Sequence, residues 1–446
     1  MDREDIGLSV PNILLPRKGV DLSKWAVVAC DQYTSQPEYW ADVESLVKGC
    51  PSTLNAVFPE VYLEETDGDE RIGRINAAME EYLEGGVLEE QGPGFILLDR
   101  KTSHAESRKG IVVALDLEKY DYKVGSQSLI RATEGTIEDR LPPRVKIREN
   151  AKIELPHIMV LIDDPERTVI EPLFEKKLDP LYDFELMAEG GHVKGWRVDS
   201  DEDIEGVFDS LSALSKQEVF DAKYGVSEKG VLLFAMGDGN HSLATAKNIW
   251  EDLKSKSGDP ASVMDHPARY ALVELMNVHD EGLEFEPIHR VVFDIDAEDL
   301  KEKLSQFFEA EGSSVAIERF ESLGLAKKRL ASLGDVAGEH LLAFVSGAEH
   351  GIIRLSNPSR NLEVGNLQAF INSYLEGKDS VVDYIHGEDV VVDLGSKPGN
   401  IGFFLPVIGK SALFKTVVLD GALPRKTFSM GEAEEKRFYL EARRIQ

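Results

Sequence analysis

Between Leu233 and Lys247 an apolar run passes through Gly237-Asp238-Gly239-Asn240 straight into a helical pattern, and no other stretch narrows the fold as much. Leu243, Ala246, Ile249, Trp250 and Leu253 return at helical spacing, which predicts a helix capped by Asn240 or Ser242 and reaching about Lys254. A strand fed through a glycine turn into a helix belongs to a layered α/β or α+β chain. It is also the build of an anion site, because glycines open backbone angles closed to other residues and the first N–H groups of a helix lack intrahelical partners. Asp238 would repel that anion, so its presence implies a bridging cation or a proton-accepting role. His241 would donate from the first turn, where the helix end disfavours an imidazolium. The competing reading is a plain tight turn with a helix cap.

Charge limits the partners. Asp plus Glu total 81 against 50 for Lys plus Arg, a formal net charge of −31 in 446 residues. Such a surface repels nucleic-acid phosphates and anionic lipid, so neither nucleic acid nor a membrane is expected as a partner. The expected partner is a small-molecule substrate, and the oligomeric state is left open. Cys30 and Cys50 are too few for a disulfide framework or a thiolate cage, and Met1 to Asp5 lacks the apolar core of a signal peptide. A reducing cytoplasm is the expectation. In so acidic a chain, clustered arginines suggest an anion pocket.

Along the chain the pattern gives a strand at Trp25–Ala29, a helix near Pro37–Val47, a helix Arg71–Leu83, and strands at Phe95–Leu98 and Gly110–Leu115. A βα unit follows over Val193–Val198 and Asp203–Leu214, leading to the strand at Val231. Beyond the box a crowded helix is expected at His266–Val278, then a turn and strand at Pro287–Phe293. Helix, strand, helix and a hairpin fill Ala297 to Asn357, and the tail shows a helix at Asn366–Leu375 and strands near Val390 and Gly402–Leu405. This divides into a main α/β region, 1–296, a small inserted α+β lobe, 297–357, and a C-terminal segment, 358–446, returning to the main region.

Other constellations carry chemistry. Arg131, Arg140 and Arg144 lie with Thr133, Thr136, Pro142 and Pro143 in a segment read as loop, suited to phosphate. Lys426 stands in a basic tail that continues to Lys436 and Arg437. His289 and His386 are placed rather than scattered, and Cys30 is a strand-end thiol read as buried more readily than nucleophilic. No zinc-type His-Glu-x-x-His, Walker loop or nucleophile elbow is present.

Taken together, Trp25–Trp40 with Cys30-Asp31-Gln32, Glu134-x-Thr136-x-x-Asp139-Arg140, Gly237-Asp238-Gly239-Asn240-His241, Pro287-x-His289-Arg290, Asp383-Tyr384-x-His386 and the tail at Leu423-Pro424, Lys426 and Phe428 resemble the domain-of-unknown-function 1015 family over nearly the full length. That family's usual box is Asp-Gly-His-His-Arg. Here it reads Asp238-Gly239-Asn240-His241-Ser242, lacking one histidine and the arginine. The box is also similar to that of the ParB and sulfiredoxin superfamily, which includes kinases of free serine. That resemblance implies a ParB/sulfiredoxin-like phosphate-binding strand–turn–helix within mixed sheets, with an acidic residue elsewhere serving the acceptor hydroxyl. The expected activity is phosphoryl transfer from ATP, ADP or pyrophosphate to a small hydroxy compound such as serine. Gly237, Gly239, Asn240 and His241 would hold phosphate, Asp238 would hold Mg2+ or act as base, and Arg131, Arg140 and Arg144 would take the donor's far phosphates. Asp31 or Glu134 would serve as acceptor base. The alternatives are a ParB-like nucleotide-binding switch and a phosphate-ester or anhydride hydrolase in which Asp238 or His241 activates water.

Overall fold

The computed structural model describes residues 2–446 apart from 29–32, 34–35, 64–66, 137, 156–157, 335, 432–434 and 437. The chain divides into two compact units, Met1–Glu284 with Met430–Gln446, and Phe285–Ser429.

The first unit is built on a mixed sheet of eleven strands. Its main path runs Pro180–Glu185, His192–Val198, Phe95–Lys101, Arg108–Asp116, Tyr270–Asn277, Met159–Ile162, Phe234–Asp238, Ile130–Arg131 and Tyr120–Asp121. The central strands bury both faces. On Arg108–Asp116, Ile111, Val113 and Leu115 enter one apolar cluster and Val112 the other, as alternation along a strand requires. The first cluster takes Phe208 and Leu211 from helix Asp201–Leu214 and Trp250 from helix Asn240–Ser257. Ile75, Met79 and Tyr82 of helix Gly68–Glu84 pack into the second. This is an α/β layering with a mixed sheet, as the strand–turn–helix predicts.

The second unit holds a six-stranded sheet, ordered Ser314–Phe320, Glu349–Ser356, Glu339–Ser346, Ile401–Phe404, His289–Phe293 and Val381–Ile385, with every pairing antiparallel. Helices Ala297–Ala310 and Glu363–Leu375 bury Leu304, Phe308 and Phe370 against one face, while Val391 of helix Glu388–Gly395 packs with Val291 and Val345 on the other.

Several expectations change. The residues read as a helix at 266–278 form the strand Tyr270–Asn277, paired parallel to Met159–Ile162 and antiparallel to Arg108–Asp116. A strand buried on both faces reads as a continuous apolar run, which periodicity cannot separate from a buried helix. Val390 lies in helix Glu388–Gly395, whose first-turn acids Glu388 and Asp389 suit a helix start. Trp25 ends a short helix capped by Asp21, and among the described residues the strand spans Val27–Val28. Segment 131–144 is not all loop: Leu141–Arg148 is a helix with Pro142 and Pro143 in its first turn, where a missing N–H costs nothing. The lobe boundaries expected at 296 and 357 fall inside the second unit. The strands of 297–357 share one sheet with His289–Phe293, Val381–Ile385 and Ile401–Phe404, so the compact unit is the longer 285–429.

Among the described residues no helix is long and apolar enough to cross a membrane.

Candidate functional site

Strand Phe234–Asp238 owes its place to Phe234, Ala235 and Met236, all without exposed surface. Gly237 follows because a Cβ there would sit 2.7 Å from the Met430 side chain and 3.1 Å from the Met159 carbonyl oxygen. Gly239 turns the chain with φ +84° and lies so close to Ile158 that a Cβ would stand 3.1 Å from its Cα. Both conditions favour glycine. Gly239 is therefore the N-cap, in place of Asn240 or Ser242, and Asn240 opens an 18-residue helix ending at Ser257. Gly239 has no side chain with which to cap it. The N–H groups of Asn240, His241 and Ser242 have no carbonyl within the helix to receive them, which leaves a partial positive charge at the turn.

Asp238 Oδ1 accepts from the N–H of Gly239 at 2.8 Å, and Oδ2 lies 3.4 Å from Lys436 Nζ. The Lys436 ammonium also donates to the Met430 carbonyl at 3.3 Å. Thr245 Oγ1 donates to the His241 carbonyl at 2.7 Å, securing the first turn. Asn240 Oδ1 is buried with no partner among the described residues, and so is Thr136 Oγ1. Buried polar atoms are normally paired, and both of these lie in segments that leave the sheet at one edge, after strands Phe234–Asp238 and Ile130–Arg131.

That edge is shared because strand Ile130–Arg131 runs parallel to the site strand, with Ile130 opposite Phe234 and Arg131 opposite Ala235. Thr133 Oγ1 donates to the Met236 carbonyl at 2.7 Å, so the chain stays alongside beyond the ladder. Glu134 follows three residues after the end of strand Ile130–Arg131. Ligands of α/β proteins gather at such carboxyl ends.

The other sequence candidates fall differently. Arg131 is 2 % exposed and donates to the carbonyls of Ser128, Gly230 and Val231; burial lowers its pKa to about 10. It ties a loop to the strand end and is not placed as a phosphate ligand. Arg144 sits on helix Leu141–Arg148, paired with Glu60. Arg140 ends the short 3-10 turn Glu138–Arg140. Asp31 and Cys30 lie outside the described residues. His289, His386 and Lys426 belong to the second unit. His289 Nδ1 accepts from the Leu405 N–H at 3.0 Å, and burial lowers its pKa to about 4. His386 and Lys426 are exposed.

Lys436 is the residue that sequence reasoning missed. It was visible only as part of a basic tail, and nothing in its spacing links it to a turn 198 positions earlier. Among the described residues no group of three His, Cys, Asp or Glu side chains forms a metal cage. A magnesium ion would fit only as magnesium is commonly held, by one carboxylate together with phosphate and water.

The fold and this edge define an α/β protein with a strand–turn–helix at the carboxyl end of its sheet. The chain belongs to the family described as "Protein of unknown function (DUF1015)", whose profile matches residues 14–370. No curated protein matches it. Among solved structures it is similar to a conserved hypothetical protein from Pyrococcus furiosus, at 14% identity over 74% of this chain and 90% of that one, with a TM-score of 0.33. It is also similar to a free serine kinase in complex with AMP, at 12% identity over 76% and 93% of the two chains, TM-score 0.36. A further likeness is to SbnI with C-terminal truncation from Staphylococcus aureus, at 9% identity over 72% and 82%, TM-score 0.32.

Proposed function

We propose that the Gly237–His241 turn binds the phosphates of a phosphoryl donor and that the first unit transfers a phosphoryl group to a small hydroxy compound. The observation that carries this reading is the partnerless buried Asn240 Oδ1 at a helix start whose N-cap is glycine, with Lys436 close by to balance charge. Phosphoryl transfer asks a protein mainly for positioning and charge neutralisation. The helix-start N–H groups and Lys436 would take phosphate oxygens, and the Asn240 amide can present either its oxygen or its nitrogen. Asp238 would hold magnesium together with the donor's phosphates, and the ion would supply neutralisation of negative charge there. Glu134, in the segment that follows the neighbouring strand Ile130–Arg131, is the base that would receive the acceptor's hydroxyl proton.

Free serine is the first acceptor to try. The full chain is incubated with Mg2+ and ATP, ADP or pyrophosphate, with and without serine and a panel of small alcohols. Donor consumption that depends on an acceptor, with a phosphorylated product by mass, is the expected result. Consumption without an acceptor would replace the kinase with a hydrolase, and binding without turnover would replace it with a nucleotide-binding switch.

A further inference from the structure

Beside the site helix lies a cavity of about 150 Å³. Ser242 and Thr245, three residues apart and so on one helix face, form part of its wall. Ile158, which packs against Gly239, forms another part. Leu63, Ile147, Leu155 and Leu272 complete an apolar lining. Its charged members are already paired with each other, Arg144 with Glu60 and Arg148 with Glu154. The cavity therefore begins within one turn of the anion cradle but has little use for further charge.

These features discriminate among donors. Pyrophosphate is anionic throughout, and none of its surface gains from leaving water for an apolar wall. A nucleotide carries a flat aromatic ring on the far side of its phosphates. Apolar cavities of roughly 150 Å³ take up benzene, so one of this size has room for much of a nucleobase, with the remainder at the mouth. We infer that the donor is a nucleoside phosphate whose base occupies this cavity, lined by Ser242, Thr245, Leu155 and Ile158 among others. The inference rests on the phosphate reading of the turn and selects among the donors that reading allows.

Calorimetric titration of the full chain with ADP, pyrophosphate and adenosine, each with Mg2+, tests it. ADP should bind at least about tenfold tighter than pyrophosphate, and adenosine should bind weakly and compete with ADP. Leu155→Trp, at a half-buried wall position, should weaken ADP by about tenfold and leave pyrophosphate within twofold. Should that variant unfold, Leu63→Trp carries the same expectation, and adenosine competition on the unaltered chain needs no variant. If ADP and pyrophosphate bind alike and adenosine does not compete, the cavity holds no base and this inference falls while the anion cradle stands. If neither ADP nor pyrophosphate binds, the cradle itself is refuted.

Discussion

At Gly237–His241 a strand ends with a buried amide oxygen lacking a partner and a helix start whose N-cap is glycine, whereas at Pro287–Arg290 another histidine-bearing motif has its polar groups engaged within the protein. His289 accepts from Leu405, while Arg290, with no exposed surface, donates to Gln368 and to the carbonyls of Ile288 and Arg425 and lies 4.5 Å from the Tyr384 ring. The two motifs look alike as strings of residues. Their difference is hydrogen-bond satisfaction: a strand end that closes its own accounts stabilises the fold, and one that does not is available to a ligand.

The sharpest way to break this comparison is Asp238→Asn, which keeps the turn's shape but removes the charge. Turnover should fall by ~10²–10⁴ with stability nearly unchanged. Full turnover in the folded variant would make Asp238 a turn residue and bring the two motifs back together.

The second test uses pH on the other motif. The pKa of His289 is lowered from 6.5 to about 4 in the folded state, so the unfolded chain binds the proton more readily. Its contribution is fully present above about pH 6.5 and is lost as pH falls towards 4, amounting to about 3 kcal/mol. Urea unfolding between pH 7 and 4 should show this for the second unit, and His289→Gln should flatten the profile. An unchanged profile would mean that His289 is not held neutral by burial.

A smaller effect on stability than that of His289 is expected from Gly239→Val. A β-branched side chain at φ +84°, with its Cβ 3.1 Å from the Ile158 Cα, should cost about 2 kcal/mol and abolish phosphate binding. A folded variant with unaltered phosphate affinity would remove the turn from the site. The mildest change is Lys436→Met, predicted to weaken phosphate by about tenfold and to reduce the salt dependence of binding. Equal affinity would show that Lys436 serves only Asp238.

Much of this was legible before the coordinates. The order helix, strand, helix, hairpin over 297–356 follows from alternating periodicities, and the site helix from its apolar repeat. Tyr270–Asn277 was not legible, because a strand covered on both faces presents no polar side to set its period. The strand–turn–helix of the box could be read since glycine geometry is local. Arg131 could not, for its role depends on carbonyls at Gly230 and Val231, about a hundred residues away. Lys436 escaped for the same reason: a spatial neighbour across 198 positions leaves no trace in spacing.

The return of Met430–Gln446 to the first unit has a consequence for synthesis. In that segment Phe438–Tyr439 pairs with Val27–Val28, Arg443–Arg444 pairs with Ile153–Glu154, and Arg100 and Arg108 grip the Glu435 carbonyl. A ribosome therefore delivers the whole of 285–429 before it delivers the strands that close the first unit and the lysine beside Asp238. The second unit can fold while the nascent chain still lacks an assembled site. Premature termination anywhere in that interval would release a chain that carries Gly237–His241 but lacks Met430, which packs on Gly237, and Lys436, the counter-charge of Asp238.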